Sequence, residues 1–283
     1  MKVNTFIVGA PKAGTTSLHY YLQQHPDVCM SEIKEPNYFT AQEVVKLYYD
    51  VSPVNSEDWY HSIFAEPTRK VIGEGSVSYL FYPEVAQKIY EYNPEARILI
   101  ILRNPVQRAF SHYLMDCRLG LCDISFEEIL DKPSKYPHFY LQFVELGMYN
   151  QQINRYLEVF GHNQVKVMFY DDLKTDANLF IEQVFSFLDL SSIDVNMLVK
   201  NKFKQPSSKI ISKLYQFKWM RTYLNIFFPK GFLLKIKSVM FKDSKKPILD
   251  PSIKRKLSEI YKNDVVELSK LLSKDLSPWY ANK

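Results

Sequence analysis

Phe6-Ile7-Val8-Gly9-Ala10-Pro11-Lys12-Ala13-Gly14-Thr15-Thr16-Ser17-Leu18 runs from an apolar strand through a tight loop into a helix start, with one lysine inside the loop. Gly9 and Gly14 let the backbone turn and approach a ligand closely. The N–H groups around Ala13 to Ser17, at the positive end of a helix, favour anions. A phosphorylated cofactor is the natural occupant of such a cradle. In the usual nucleoside triphosphate loop, lysine directly follows the last glycine, and a hydroxyl after it holds magnesium. Here Thr15 follows Gly14 and the lysine has moved back to Lys12. A kinase or ATPase also wants an acidic residue at the end of a nearby apolar strand, yet Arg97-Ile98-Leu99-Ile100-Ile101-Leu102 ends in Arg103. The expectation is a nucleotide handled without magnesium.

Outside the cradle, short β-rich runs at Thr5–Val8, Val28–Met30, Val71–Gly73, Ile98–Leu102 and Val165–Phe169 alternate with helical apolar spacing. The helical patterns cover Thr15–Gln24, Pro83–Tyr92, Val106–Cys117, Asn150–Phe160 and Asn178–Leu188. This alternation predicts an α/β fold with a P-loop-type, mostly parallel central sheet flanked by helices on both faces. At 283 residues and 46% apolar content, with no repeat or linker, one domain over residues 1–283 is expected. Ser207–Asn225 reads as helical and Pro251–Leu272 as a long amphipathic helix, so a helical C-terminal region from about residue 200 should pack on the core.

The net charge of +5 is unevenly spread: residues 1–199 carry 16 Lys and Arg against 25 Asp and Glu, and residues 200–283 carry 20 against 6. A basic C-terminal third suits a cofactor phosphate, an acidic glycan or an anionic membrane surface; a plain solvated face is the alternative. Nucleic acid is disfavoured, since no binding motif accompanies the charge. Tyr223–Phe241 mixes Phe, Leu and Ile with Pro229, Lys230, Gly231, Lys235 and Lys237, which fits either a membrane interface or packing on the core. No stretch of about twenty apolar residues exists to span a membrane. Met1–Asn4 leads straight into the cradle rather than into a signal peptide, so the cytoplasm is expected, or a catalytic region trimmed from an anchored parent. Cys29, Cys117 and Cys122 read as reduced thiols, with a local Cys117–Cys122 bridge left open. No Cys and His cluster has zinc spacing, and no metal is assigned.

Pro11-Lys12-Ala13-Gly14-Thr15-Thr16 resembles the 5′-phosphosulfate loop of the sulfotransferases that use 3′-phosphoadenosine 5′-phosphosulfate, PAPS. Leu102-Arg103-Asn104-Pro105-Val106-Gln107-Arg108-Ala109-Phe110-Ser111-His112-Tyr113 resembles that family's second motif, whose strand-end arginine and serine eight residues later grip the 3′-phosphate. Phe241-Lys242-Asp243-Ser244-Lys245-Lys246-Pro247 resembles its basic loop over the cofactor. The segment from Asp264 to Leu272 and Pro278-Trp279 resemble the closing helix of the heparan-type branch. The resemblance implies PAPS as cosubstrate, its desulfated product PAP, and no metal. It assigns Lys12, Ala13, Gly14, Thr15, Thr16, Ser17, Arg103, Ser111, Lys245 and Lys246 to the cofactor. Read on its own, Lys12 could be a surface lysine, Arg103 a strand-end partner of a carboxylate, and Ser111 a helix serine bonding backward.

Sulfuryl transfer needs positioning, charge stabilisation and a base for the acceptor proton. Glu74 is the expected base, because Val71-Ile72-Gly73-Glu74 ends a short strand and Glu74, Ser76 and Tyr79 match a Glu-Lys-Ser/Thr-x-x-Tyr segment of the heparan-type family. Gly75 replaces that family's lysine. Lys34-Glu35-Pro36-Asn37-Tyr38-Phe39 resembles a segment whose lysine faces the sulfuryl group, which gives Lys34 a supporting role beside the catalytic Lys12. The bland readings are a structural Glu74 and a surface ion pair at Lys34 with Glu32 or Glu35. Tyr149 and the stretch Tyr136–Tyr140 are candidates for the acceptor cleft, and His112 is a weaker base. The expected activity is sulfuryl transfer to a hydroxyl or amine of a carbohydrate, with a small natural product or glycolipid as the first rival. A magnesium-dependent kinase and a non-catalytic nucleotide-binding module are the more distant ones.

Overall fold

The computed structural model describes residues 2–49, 51–197, 204–206, 241–243 and 247–281, with only the backbone of 204–206 and 241–243. The expected helix at Ser207–Asn225, almost all of Tyr223–Phe241, and both Lys245 and Lys246 lie outside the described residues. The central sheet consists of β1 (Thr5–Gly9), β2 (Val28–Met30), β3 (Val71–Gly75), β4 (Arg97–Leu102) and β5 (Val165–Phe169), all parallel, in the order β2-β3-β1-β4-β5. β1, β2 and β3 are buried along their whole length, as is β4 from Ile98 onward. Continuous apolar runs of this kind suit a parallel sheet covered on both sides. Ile98 pairs with Val165 and Leu102 with Phe169, while the β1–β4 register shifts between Ile7 and Gly9, where the cradle begins.

Packed around the sheet are α1 (Thr15–Leu22), α2 (Ala41–Val44), α3 (Glu57–Ser62), α4 (Val85–Tyr92), α5 (Pro105–Leu119) and α6 (Phe126–Asp131). α7 (Pro137–Phe143), α8 (Tyr149–Phe160), α9 (Tyr170–Thr175), α10 (Ala177–Phe187) and α11 (Pro251–Leu271) follow. The five long helical patterns of the first two hundred residues are present with ends shifted by a few residues. α5 starts where the Asn104 side chain accepts from the Val106 and Gln107 N–H groups and Pro105 occupies the first turn; it stops at Gly120, φ 70°. The short helices α2, α3, α6, α7 and α9 were not anticipated. β3 runs to Gly75, two residues beyond its expected end, and this moves Glu74 inside the strand. Beyond the central sheet, β6 (Lys204–Pro206) pairs antiparallel with β7 (Phe241–Asp243). No helix among the described residues is long and apolar enough to cross a membrane. Cys117 and Cys122 are free thiols, as is Cys29.

α11 lies against α8 and α5. Its Asp264 carboxylate accepts from the Tyr149 N–H at 2.7 Å and the Asn150 N–H at 3.2 Å, capping α8 from another element. Its Tyr261 hydroxyl donates to the Val144 carbonyl at 3.0 Å. Trp279 follows, between the rings of Tyr149 and Phe169. Asp264→Ala removes a half-buried cap and should cost about 1–2 kcal/mol, read as a lower urea midpoint at unchanged slope.

Candidate active site

In this strand order the connections diverge on either side of β1, which opens a crevice at the carboxyl ends of the strands. A cavity of about 700 Å³ fills it, within the range of roughly 300–1,000 Å³ that whole small-molecule ligands occupy. Every strand end contributes to its wall. Lys12 and Gly14 to Ser17 follow β1, Glu35 and Asn37 follow β2, Val77 and Ser78 follow β3, Arg103 follows β4 and Tyr170 follows β5. Ser111 adds one face of α5. Lys12 and Arg103 therefore face one cleft.

Lys12 sits at φ 67°, a left-handed conformation that side chains avoid. Arg103 Nη1 donates to the Lys12 carbonyl oxygen at 3.0 Å, holding the loop in that shape. The guanidinium also lies over the Tyr170 ring, 4.6 Å from its centroid. Gly14 packs against the same ring at φ +96°: a Cβ there would stand 2.9 Å from Leu173 and 3.1 Å from Tyr170. Because Gly14 supplies no side-chain cap, the first N–H groups of α1 are left for a ligand. Arg103 Nε is buried without a partner, a further donor awaiting an acceptor. Burial, together with Arg118, brings the Lys12 ammonium down to about 8; it lies 3.1 Å from Met115 Sδ.

Two expected site residues, Ala13 of the cradle and the base candidate Glu74, are placed differently. Ala13 is fully buried behind the loop, and its N–H is used by Ala10 at 3.3 Å. Glu74 is fully buried and absent from the cavity wall. Its Oε1 accepts from Tyr60 at 3.0 Å and Tyr79 at 2.8 Å, and its Oε2 accepts from Ser76 at 2.7 Å. Burial pushes its carboxyl up to about 7, against the pull of those hydroxyls and of Lys34. Wrapped by three hydroxyl donors inside a strand, Glu74, the expected base, stands behind the cavity wall rather than on it.

The carboxylate that does line the cavity is Glu35, which the sequence offered only as one of two surface partners, with Glu32, in the bland reading of Lys34. The Lys34 ammonium bonds Glu35 Oε1, so Lys34 reaches the site through its neighbour. Glu35 adopts φ 62°, and its N–H donates to the Gly75 carbonyl at 3.0 Å. Asn37 Nδ2 donates to the Glu35 carbonyl at 2.7 Å, and Asn37 N–H donates to Ser76 Oγ at 3.0 Å. Glu74, through Ser76 and Tyr79, thus holds the segment that presents Glu35. The signal that could have found Glu35 is its place two residues before Asn37, in the loop that follows the short strand β2.

Tyr149 is likewise buried, donating its hydroxyl to the Arg103 carbonyl at 3.1 Å, and no residue of Tyr136–Tyr140 lines the cavity. These expectations for the acceptor cleft are corrected too: the tyrosines there are Tyr49, Tyr82 and Tyr170. His112 does line the cavity, but Arg108 Nη1 faces its Nδ1 at 3.3 Å, and Tyr49 Oη lies 2.8 Å from its Nε2. Burial, Arg108 and Lys12 hold it neutral, well below the usual histidine range. Among the described residues no three His, Cys, Asp or Glu side chains gather as a metal would require.

A parallel sheet with its cradle after β1 and a second anion grip after β4 defines a nucleotide-dependent group-transfer site. The sulfotransferase domain family matches residues 2–271, and the chain belongs to that family; its chemistry is sulfuryl transfer. A crystal structure of a sulfotransferase from Alicyclobacillus acidocaldarius superposes with a TM-score of 0.75 at 30% identity, covering 99% of this chain and 100% of that one. The membrane-associated sulfotransferase kil1 of Dictyostelium discoideum is 34% identical over 39% of this chain and 22% of its own length. The rat (Rattus norvegicus) carbohydrate sulfotransferase 15 is 25% identical over 66% of this chain and 44% of its own length. The bifunctional heparan sulfate N-deacetylase/N-sulfotransferase 1 of Caenorhabditis elegans is 26% identical over 95% of this chain and 29% of its own. The chain thus spans less than half the length of these curated relatives.

The lowered Lys12 pKa makes anion binding pH-dependent. The ammonium population falls as pH rises through about 8, so the Kd for adenosine 3′,5′-bisphosphate should rise on the order of tenfold between pH 7 and 9.5. Calorimetry should find Lys12→Met weaker at pH 7 and flat over the same range. Gly14→Ala should lose most bisphosphate affinity, since any side chain at that φ strains the loop.

Proposed function

We propose that this domain transfers a sulfuryl group from PAPS to a hydroxyl, or an amine, of a carbohydrate-bearing acceptor. The observation that carries the proposal is that Lys12 and Arg103, joined through the Lys12 carbonyl, line one cavity with Glu35. Names of relatives such as carbohydrate sulfotransferase 15 support the sugar. The residues present fit the cosubstrate. Lys12, Thr15, Thr16 and Ser17 would hold its 5′ side, Arg103 and Ser111 would hold the 3′-phosphate, and Lys245 and Lys246 stay candidates from the sequence. PAPS supplies the sulfuryl group and a phosphate leaving group.

Lys12 offsets charge at the leaving phosphate, and the buried setting strengthens that effect. Glu35 accepts the acceptor's proton, oriented by Lys34 on one side and by the Asn37 contact on the other. Glu74 is a positioning residue, holding the Glu35 segment through Ser76 and Tyr79.

The two carboxylates separate experimentally. Glu35→Gln should lower kcat by about 10²–10⁴-fold with bisphosphate affinity and melting temperature nearly kept. Glu74→Ala leaves three buried hydroxyls without their acceptor and should cost on the order of 3 kcal/mol of stability. Turnover at saturating PAPS, beside thermal melts of both variants, reads the difference. A Glu35→Gln enzyme with unaltered kcat removes Glu35 from the chemistry. Arg103→Ala should weaken the 3′-phosphorylated nucleotide on the order of 100-fold while leaving adenosine 5′-phosphate little changed, as loss of a charge-assisted contact implies.

A further inference from the structure

The cavity wall divides into two zones. At the strand ends it is polar, with Glu35, Asn37 and Ser78 beside the two anion grips. The hydrocarbon part of the wall includes Met115, whose Sδ meets the Lys12 ammonium, and Leu119 from α5, Leu47 and Val51 from the loop after α2, then Leu121 and Leu146. α5 sets the direction of this gradient. Ser111, Met115 and Leu119 recur at i, i+4 and i+8 and share one face, which passes from hydroxyl to hydrocarbon over about 12 Å. Leu47, Val51, Met115, Leu119 and Leu121 are each only half-buried, so a ligand's hydrocarbon would take that surface from water.

This wall is held in place by specific bonds. Tyr48 and Tyr49, between Leu47 and Val51, both donate to Asp116 Oδ2 on α5, at 2.5 and 2.6 Å. Asp116 is fully buried, and burial pushes its carboxyl up to about 6 against the pull of the two phenols and Lys12. Tyr49 is braced from its other side by His112. The loop that carries the outer leucine and valine is therefore pinned to the helix that carries Met115 and Leu119.

Charge narrows the occupant further. Among the described lining residues the Lys and Arg side chains are Lys12 and Arg103, both taken by the cosubstrate, and the carboxylate is Glu35. Among those described residues a polyanionic sugar chain finds no third lysine or arginine on the wall, and it meets Glu35.

We propose that the acceptor is a glycolipid-type molecule, a neutral sugar carrying a hydrocarbon body. Its reacting hydroxyl lies by Glu35, Asn37 and Ser78, and its hydrocarbon lies against Leu47, Val51, Leu119 and Leu121. This rests on the sulfotransferase reading of the site. The acceptor oxygen forms the new O–S bond as the sulfur's bond to the 5′-phosphate oxygen breaks. The hydroxyl proton passes to Glu35, and adenosine 3′,5′-bisphosphate leaves.

The test compares octyl β-glucoside below its micelle concentration, methyl β-glucoside and an unsulfated heparosan oligosaccharide as acceptors from radiolabelled PAPS. The full chain is used, and bisphosphate binding is measured in parallel by calorimetry. The expected result is a kcat/KM for octyl glucoside on the order of 100-fold above methyl glucoside, as burial of several methylenes implies, with heparosan slowest. Leu47→Lys, at a half-exposed loop position, should erase the octyl advantage and keep bisphosphate affinity within about twofold; Leu121→Gln serves as the second variant. Equal rates for the two glucosides, preference for heparosan, an octyl advantage untouched by both variants, or tight bisphosphate binding with no glucoside turnover overturns the proposal and leaves the cosubstrate reading standing. Loss of bisphosphate binding by the unmodified chain overturns both.

Discussion

The bond from the Arg103 guanidinium to the Lys12 carbonyl is the constraint on which the site depends. It joins the ends of two neighbouring strands, β1 and β4, each of which delivers one cation to the crevice. Lys12 holds a backbone conformation that the chain would leave if that carbonyl were free. The same guanidinium lies over Tyr170, whose ring packs against Gly14, so β5 also enters the arrangement. Two cations within one cleft repel each other, and burial adds to the cost of both. A bisphosphorylated ligand relieves that repulsion, because it supplies opposite charge to each.

That Lys12, Arg103 and Ser111 share one cavity wall was legible in the sequence because each segment depends on residues close together in the chain. A glycine at positive φ, a helix start and a cation after an apolar strand can be read in a few positions at a time, which is how Lys12, Gly14 to Ser17, Arg103 and Ser111 were found. Glu35 was not legible in that way. Its place on the wall follows from φ 62°, from the Gly75 carbonyl forty residues away, and from Asn37 bonded to Ser76. None of these is visible in Lys34-Glu35, which reads as any exposed pair. Glu74 stands off the wall for one physical reason: β3 continues to Gly75, so the residue expected at the strand end stands within it, among Tyr60 and Tyr79.

Asp116 shows a second limit. Arg108, His112 and Asp116 recur every four residues along α5, and a polar stripe at that spacing normally marks the solvent face of a helix. Here all three are buried. Arg108 Nη2 donates to the Gln142 and Phe143 carbonyls at 3.1 and 2.5 Å, and His112 Nε2 and Asp116 Oδ2 meet the tyrosines after α2. The adjacent stripe, Ser111, Met115 and Leu119, lines the cavity. One helix thus carries the anchor on one stripe and the wall on the next, and only the partners of each stripe tell them apart.

The tyrosines, 20 of them and uninformative by number, acquire a common role once these anchors are placed. Tyr60 and Tyr79 hold Glu74, and Tyr48 and Tyr49 hold Asp116. A phenol gives an aromatic ring to the apolar layer and a hydroxyl donor to a buried carboxylate, a combination that Phe or Ser alone lacks. The connections these carboxylates hold, residues 34–39 and 45–49 with Val51, carry Glu35 and part of the hydrocarbon wall respectively. Both segments lie outside the sheet and would wander as ordinary loops. Anchoring each from below with a carboxylate and two phenols leaves their upper surfaces free to face a substrate, so the chemistry of the cavity is set by loops while its dimensions are set by the sheet and α5.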